Sequence, residues 1–86
     1  QEMDTTRFRC MQFAYEAGKK GGTLPTVLNA ANEVAVAAFL DEKITFLQIE
    51  DLIEKALSKH DVIQNPDLSI IQEVDKEVRH YVQTLL

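Results

Sequence analysis

Eighty-six residues with 45% hydrophobic and 27% charged side chains describe one small domain, since a domain takes about 50 residues or more and this chain cannot be divided. Nine Lys and Arg against 14 Asp and Glu leave a net charge of -5, which repels phosphate backbones and anionic headgroups and argues against nucleic acid and membrane surfaces as partners. No apolar run approaches the roughly 18 to 20 residues of a membrane helix and no basic-then-apolar leader opens the chain, so the expected location is cytoplasmic.

The chain opens on Gln1 rather than Met, which suggests a piece of something longer. Phe8, Met11 and Tyr15, with Cys10 and Ala14 beside them, keep the three-and-four spacing of one helix face as far as Gly18, a residue suited to the left-handed position past a helix end. A first helix is therefore expected over about residues 6–17. Cys10 is the only cysteine, which excludes an internal disulfide and a thiolate zinc cage. Arg7 and Arg9 would lower its thiol pKa only if it were exposed, and its apolar neighbours favour a buried, inert thiol. Lys19 to Gly22 read as a flexible connector. The run GKKGGT from Gly18 to Thr23 lacks the spacing of a phosphate loop and follows no strand, so helix stop plus linker is the better reading.

Pro25 supplies the fixed φ of a first helical turn, and a second helix is expected over about 25–41. From Leu24 to Leu40 its only polar residues are Thr26, Asn29, Asn32 and Glu33, and Val34 to Leu40 is unbroken apolar, so this should be the central helix. Asn32 and Glu33 follow Asn29 at i+3 and i+4, which gathers the three on one sector of the wheel. Asn is a poor helix former that is retained chiefly for specific hydrogen bonds, which makes Asn29, Asn32 and Glu33 a candidate docking patch; the competing reading is a plain solvent stripe.

Thr45 and Gln48 have capping-box spacing, with Ile44 and Ile49 placed as a hydrophobic staple, and start a third helix over about 46–59. Ile49, Leu52, Ile53, Ala56 and Leu57 form its apolar stripe, with acidic residues early and Lys55 and Lys59 late, as the helix dipole favours. Asn65 and Pro66 restart the chain. Ile71, Val74, Val78, Tyr81, Val82 and Leu85 then mark a fourth helix over about 67–85. The fold class is all-α, a small four-helix bundle or orthogonal array, without repeats or low-complexity tracts.

Chemistry-bearing residues are sparse. His60 and His80 fall on different elements with no further ligand at metal spacing and read as surface histidines. The acidic runs Glu50, Asp51, Glu54 and Glu73, Asp75, Glu77 lack the glycine-centred loop of a calcium site and read as solvated helix faces. No nucleophile, base and orienting group can be assembled, and no residue is assigned to catalysis, a cofactor or a metal. An acyl carrier protein would place its modified serine directly after Asp; here Leu68 stands between Asp67 and Ser69.

From Gly21 to Leu40 the chain reads GGTLPTVLNAANEVAVAAFL, preceded by MQFAYEAGKKGG and followed by DEKITFLQIEDLIEKAL, Asn65 to Asp67 and the Asp75 to Arg79 pair. This resembles the C-terminal helical domain of 1-deoxy-D-xylulose 5-phosphate reductoisomerases across nearly the whole chain. One departure is Arg9 after Phe8, where many members carry Pro, which bears on how the first helix starts. The resemblance implies a parent enzyme of isoprenoid biosynthesis that rearranges its substrate and reduces the product with NADPH at a divalent metal, Mg or Mn. It also implies a homodimeric parent, and it places every catalytic position outside this sequence. The domain's partner would be the catalytic domain of its own chain. A free-standing helical module that holds a different protein is the alternative from another class.

Overall fold

The computed structural model describes residues 5–86, with side chains from Gln12 onward, so the side chains of Arg7, Phe8, Arg9, Cys10 and Met11 lie outside the described set. Four helices follow one another: α1 (Thr5–Lys20), α2 (Leu24–Leu40), α3 (Phe46–Lys59) and α4 (Leu68–Thr84). No strand occurs among the described residues, which establishes the all-α class.

α2 is central, with α3 and α4 making the broadest contacts on it and α1 a smaller one. α1 also touches α3, but α1 and α4 make no close backbone approach among the described residues. The α2–α3 pair therefore separates them. The side chains of α2 explain the close packing. Ala30, Ala31 and Ala35 are fully buried with Val27, and a surface of methyl groups lets neighbouring backbones come near. Ile49, Leu52, Ile53 and Ala56 of α3, and Val74, Val78 and Val82 of α4, complete the core.

Local chemistry sets most helix ends. The Gln48 N–H donates to Thr45 Oγ1 at 3.3 Å while the Thr45 N–H donates to Gln48 Oε1 at 2.7 Å, which closes the capping box of α3. Ile44 packs against the core just before it. Asp67 caps α4 by accepting from the Ile70 N–H at 2.9 Å. Lys59, in the last turn of α3, lies over the Tyr81 ring of α4 at 5.2 Å.

The end of α1 departs from the sequence expectation. The helix runs through Gly18, Lys19 and Lys20 and stops three residues later than anticipated. Gly21 and Gly22 take the positive φ values, 68° and 60°, so the left-handed step falls on them and Gly18 stays helical. The Gly21 N–H donates to the Ala17 carbonyl at 2.9 Å, and Gln64 Nε2 donates to the Lys20 carbonyl at 3.3 Å, satisfying the helix end from another loop. The second half of α2 is also less enclosed than its sequence implies. Leu40 is 74% exposed and Ala37 is exposed, so Asn29, Asn32, Glu33, Ala37 and Leu40 share one outward stripe.

Three substitutions test this packing. Ala35→Asp should unfold the domain, because an unpaired buried charge costs about 3 kcal/mol or more against the few that a chain of this size has; Gln72→Ala, on an exposed position, should leave the thermal midpoint of the helical circular dichroism signal unchanged. Gly22→Ala should be strongly destabilising, since the new Cβ would stand 2.6 Å from the Ile63 carbonyl oxygen in addition to the positive φ. A neutral result for Ala35→Asp or Gly22→Ala would show that the core or the turn is misplaced.

Candidate functional site

Two clusters of polar side chains among the described residues join positions far apart in the sequence. The first joins the α1–α2 turn to the α3–α4 loop. Thr23 is fully buried, and its Oγ1 accepts from the Ile63 N–H at 3.0 Å and lies 2.6 Å from His60 Nε2. Thr23 stands at the N-cap of α2 yet makes no capping bond, because its hydroxyl is turned toward the other loop. Gly22 presses on the same segment, with Ile63 O, Val62 Cγ1 and Gln64 Oε1 all close to where a Cβ would stand. His60 is thus a half-buried member of a polar contact rather than a free surface histidine, which corrects the sequence reading.

A hydroxyl 2.6 Å from an imidazole nitrogen has the spacing of a nucleophile and its base. Here it cannot act as one. Thr23 has no exposed surface for a substrate to reach, and the hydroxyl already holds the Ile63 amide. The pair serves as a clasp.

The second cluster centres on Arg79. Its Nε donates to Asp75 Oδ2 at 2.9 Å, one turn back on α4, and its Nη2 donates to Glu33 Oε1 at 2.7 Å, across to α2. The hydrogen bonds that Arg79 donates to Asp75 and then to Glu33 outweigh partial desolvation and hold the guanidinium above its ordinary value. Glu33 is 55% exposed at the side chain and Arg79 36%, so solvent screening keeps this pair near the modest values of surface ion pairs.

Glu33 therefore parts company with its predicted companions. Asn29 and Asn32 are both exposed and face a groove between α1 and α2, while Glu33 borders a different groove with Ala37, Leu40, Arg79 and Leu86. Glu50 is a second correction: it is 2% exposed, not on a solvated face, because α3 is covered by three other helices and its buried arc is wider than its apolar stripe. His80 is exposed and borders a groove along α3 and α4 that His60 also lines.

Neither a phosphate cradle at the glycine turn nor a metal-binding group forms among the residues described. The loop amides at Gly21 and Leu24 are already engaged by Ala17 and Gly21 carbonyls, and the space before Gly22 is filled by Ile63, so the glycine turn is no phosphate cradle. Among the described residues no three His, Cys, Asp or Glu side chains group closely enough to hold a metal ion. Among them, too, no helix is long and apolar enough to cross a membrane.

The fold and its polar contacts define a small all-helical domain whose described polar side chains tie its own helices and loops together. Comparison with known proteins supplies the family: residues 1–81 match the DXP reductoisomerase C-terminal domain, and the chain belongs to that family. Over 86 residues it is 64% identical to the 1-deoxy-D-xylulose 5-phosphate reductoisomerases of Bacillus pumilus and Bacillus subtilis, and 58% identical to that of a Geobacillus species. These alignments cover all of this chain but 22%, 22% and 23% of the respective relatives, so the chain spans about a fifth of their length.

Four substitutions separate the clusters. Thr23→Val should cost about 1 to 3 kcal/mol in urea denaturation by stranding the Ile63 amide, with Thr23→Ser recovering most of it. Glu33→Ala and Arg79→Ala should each cost about 1 kcal/mol or less, with a coupling between them of about 0.5 kcal/mol. A larger penalty for Glu33→Ala than for Thr23→Val would reverse the ranking of the two clusters.

Proposed function

We propose that this chain is the C-terminal part of a longer 1-deoxy-D-xylulose 5-phosphate reductoisomerase and that it braces the catalytic part of that enzyme without contributing a reacting group. The parent would rearrange 1-deoxy-D-xylulose 5-phosphate and reduce the product with NADPH, assisted by Mg or Mn, in the cytoplasm and as a homodimer. The observation that carries the reading is the match of residues 1–81 to the family, together with 64% identity to relatives more than four times as long. Asn29, Asn32 and Glu33, on the outward stripe of α2, remain the candidate interdomain patch, with Glu33 also engaged by Arg79.

The reading frame upstream of Gln1 is the first test. It should continue for about 300 residues, enough for a dinucleotide-binding domain and a catalytic domain. The protein encoded by that whole frame should oxidise NADPH when given 1-deoxy-D-xylulose 5-phosphate and Mg, whereas residues 1–86 alone should not. A start codon beside Gln1, or a full-length product without this activity, would favour the free-standing interaction module instead.

A further inference from the structure

The groove between α1 and α2 has a composition that the domain's own packing leaves unexplained. Among the described side chains none that lines this groove is charged, although the chain is 27% charged; Ala14 and Gly18 of α1 face Pro25, Leu28, Asn29 and Asn32 of α2 across it. Gly18 is exposed and helical, and apart from its chain neighbours and its own helix backbone no atom of the described residues lies within 4 Å of where its Cβ would stand. A helix-interior glycine is less favourable than alanine, and neither a positive φ nor crowding inside the domain calls for one here. Asn29 and Asn32 are exposed on a helix and form no side-chain hydrogen bond among the described residues. Each carboxamide offers donors and an acceptor together, which is the complement of a peptide group.

These observations specify what could lie in the groove. A charged segment would find no counter-charge among the described lining residues. A helix would present peptide groups already satisfied by its own ladder, whereas an extended segment leaves them available to carboxamides. The bare backbone at Gly18 admits a close main-chain approach. One source of such a segment is at hand, since in relatives 64% identical the domain is covalently joined to about 300 further residues and meets them at the high effective concentration of a tether. Glu33 is turned toward Arg79 and borders the other groove, which leaves Asn29 and Asn32 as the polar pair.

We infer that the α1–α2 groove is where the remainder of the reductoisomerase chain docks, through an uncharged extended segment that passes over Gly18 and pairs its peptide groups with Asn29 and Asn32. This rests on the chain being one domain of such an enzyme.

The full-length protein tests it through cysteine accessibility. Ala14→Cys places a thiol in the groove with little change in size, and Gln72→Cys places one on the exposed face of α4; both positions are open in the domain itself. Modification by a neutral maleimide, located by peptide mass so that Cys10 is distinguished, should be at least about tenfold slower at residue 14 than at residue 72. Adding Gly18→Gln to the Ala14→Cys protein should bring its rate to within about threefold of the residue 72 site, because the longer side chain displaces the covering segment. Equal rates at the two sites in the single variants would overturn the docking, as would a Gly18→Gln chain that stays protected. The same preparations are assayed for reductoisomerase activity. Equal labelling in an active enzyme removes the docking alone, and protection at residue 14 in an inactive parent removes the enzymatic reading while the covered groove stands.

Discussion

The buried hydroxyl of Thr23 is the constraint on which the arrangement of the four helices depends. It belongs to the turn between α1 and α2 but is bonded to the segment between α3 and α4, so it fixes the two interhelical connections against each other. Gly22 makes this possible, since only a residue without a side chain can let the Ile63 carbonyl come so near. Gln64 adds a third tie by reaching the last turn of α1. Because a stranded amide in a covered site is costly, these bonds act less by adding strength than by excluding alternative placements of the loop.

Away from the clasp the fold relies on small side chains. Buried alanines on α2 reduce the area each residue can remove from water, yet they let α3 and α4 approach closely enough for isoleucine, leucine and valine to fill the intervening space. Arg79 works at the edge of that core. By bonding to Asp75 within its own helix and to Glu33 on α2, it holds α4 in register along α2 with a rigid planar group. The exposed stripe of α2 is what three neighbours leave uncovered.

Helix content was legible from spacing and caps, and most clearly so in α3, where the capping box, the apolar stripe and the charge polarity agree. The end of α1 was not. Gly18 and Gly21 are equally able to stop a helix, and the choice between them is made by Gln64 and Ile63, more than 40 residues away in the chain. The burial of Glu50 and the engagement of His60 were hidden for the same reason: a helical wheel shows which residues share a face but not how many neighbours will cover it. Asn29, Asn32 and Glu33 were rightly grouped on one sector, yet an arginine 46 positions further along drew Glu33 to its own side. The family resemblance, carried by the run from Gly21 to Leu40, holds the Thr23 and Glu33 contacts within it but does not display them.

The separation of α1 from α4 has a mechanical consequence. Among the described helices, load applied along α1 passes to α2 and α3, over contacts that together are narrower than either the α2–α3 or the α2–α4 contact, and through the glycine turn. The α2–α4 contact lies outside that path. Tension on α1 would therefore fall first on these narrower contacts and only afterwards on the core that α2, α3 and α4 share.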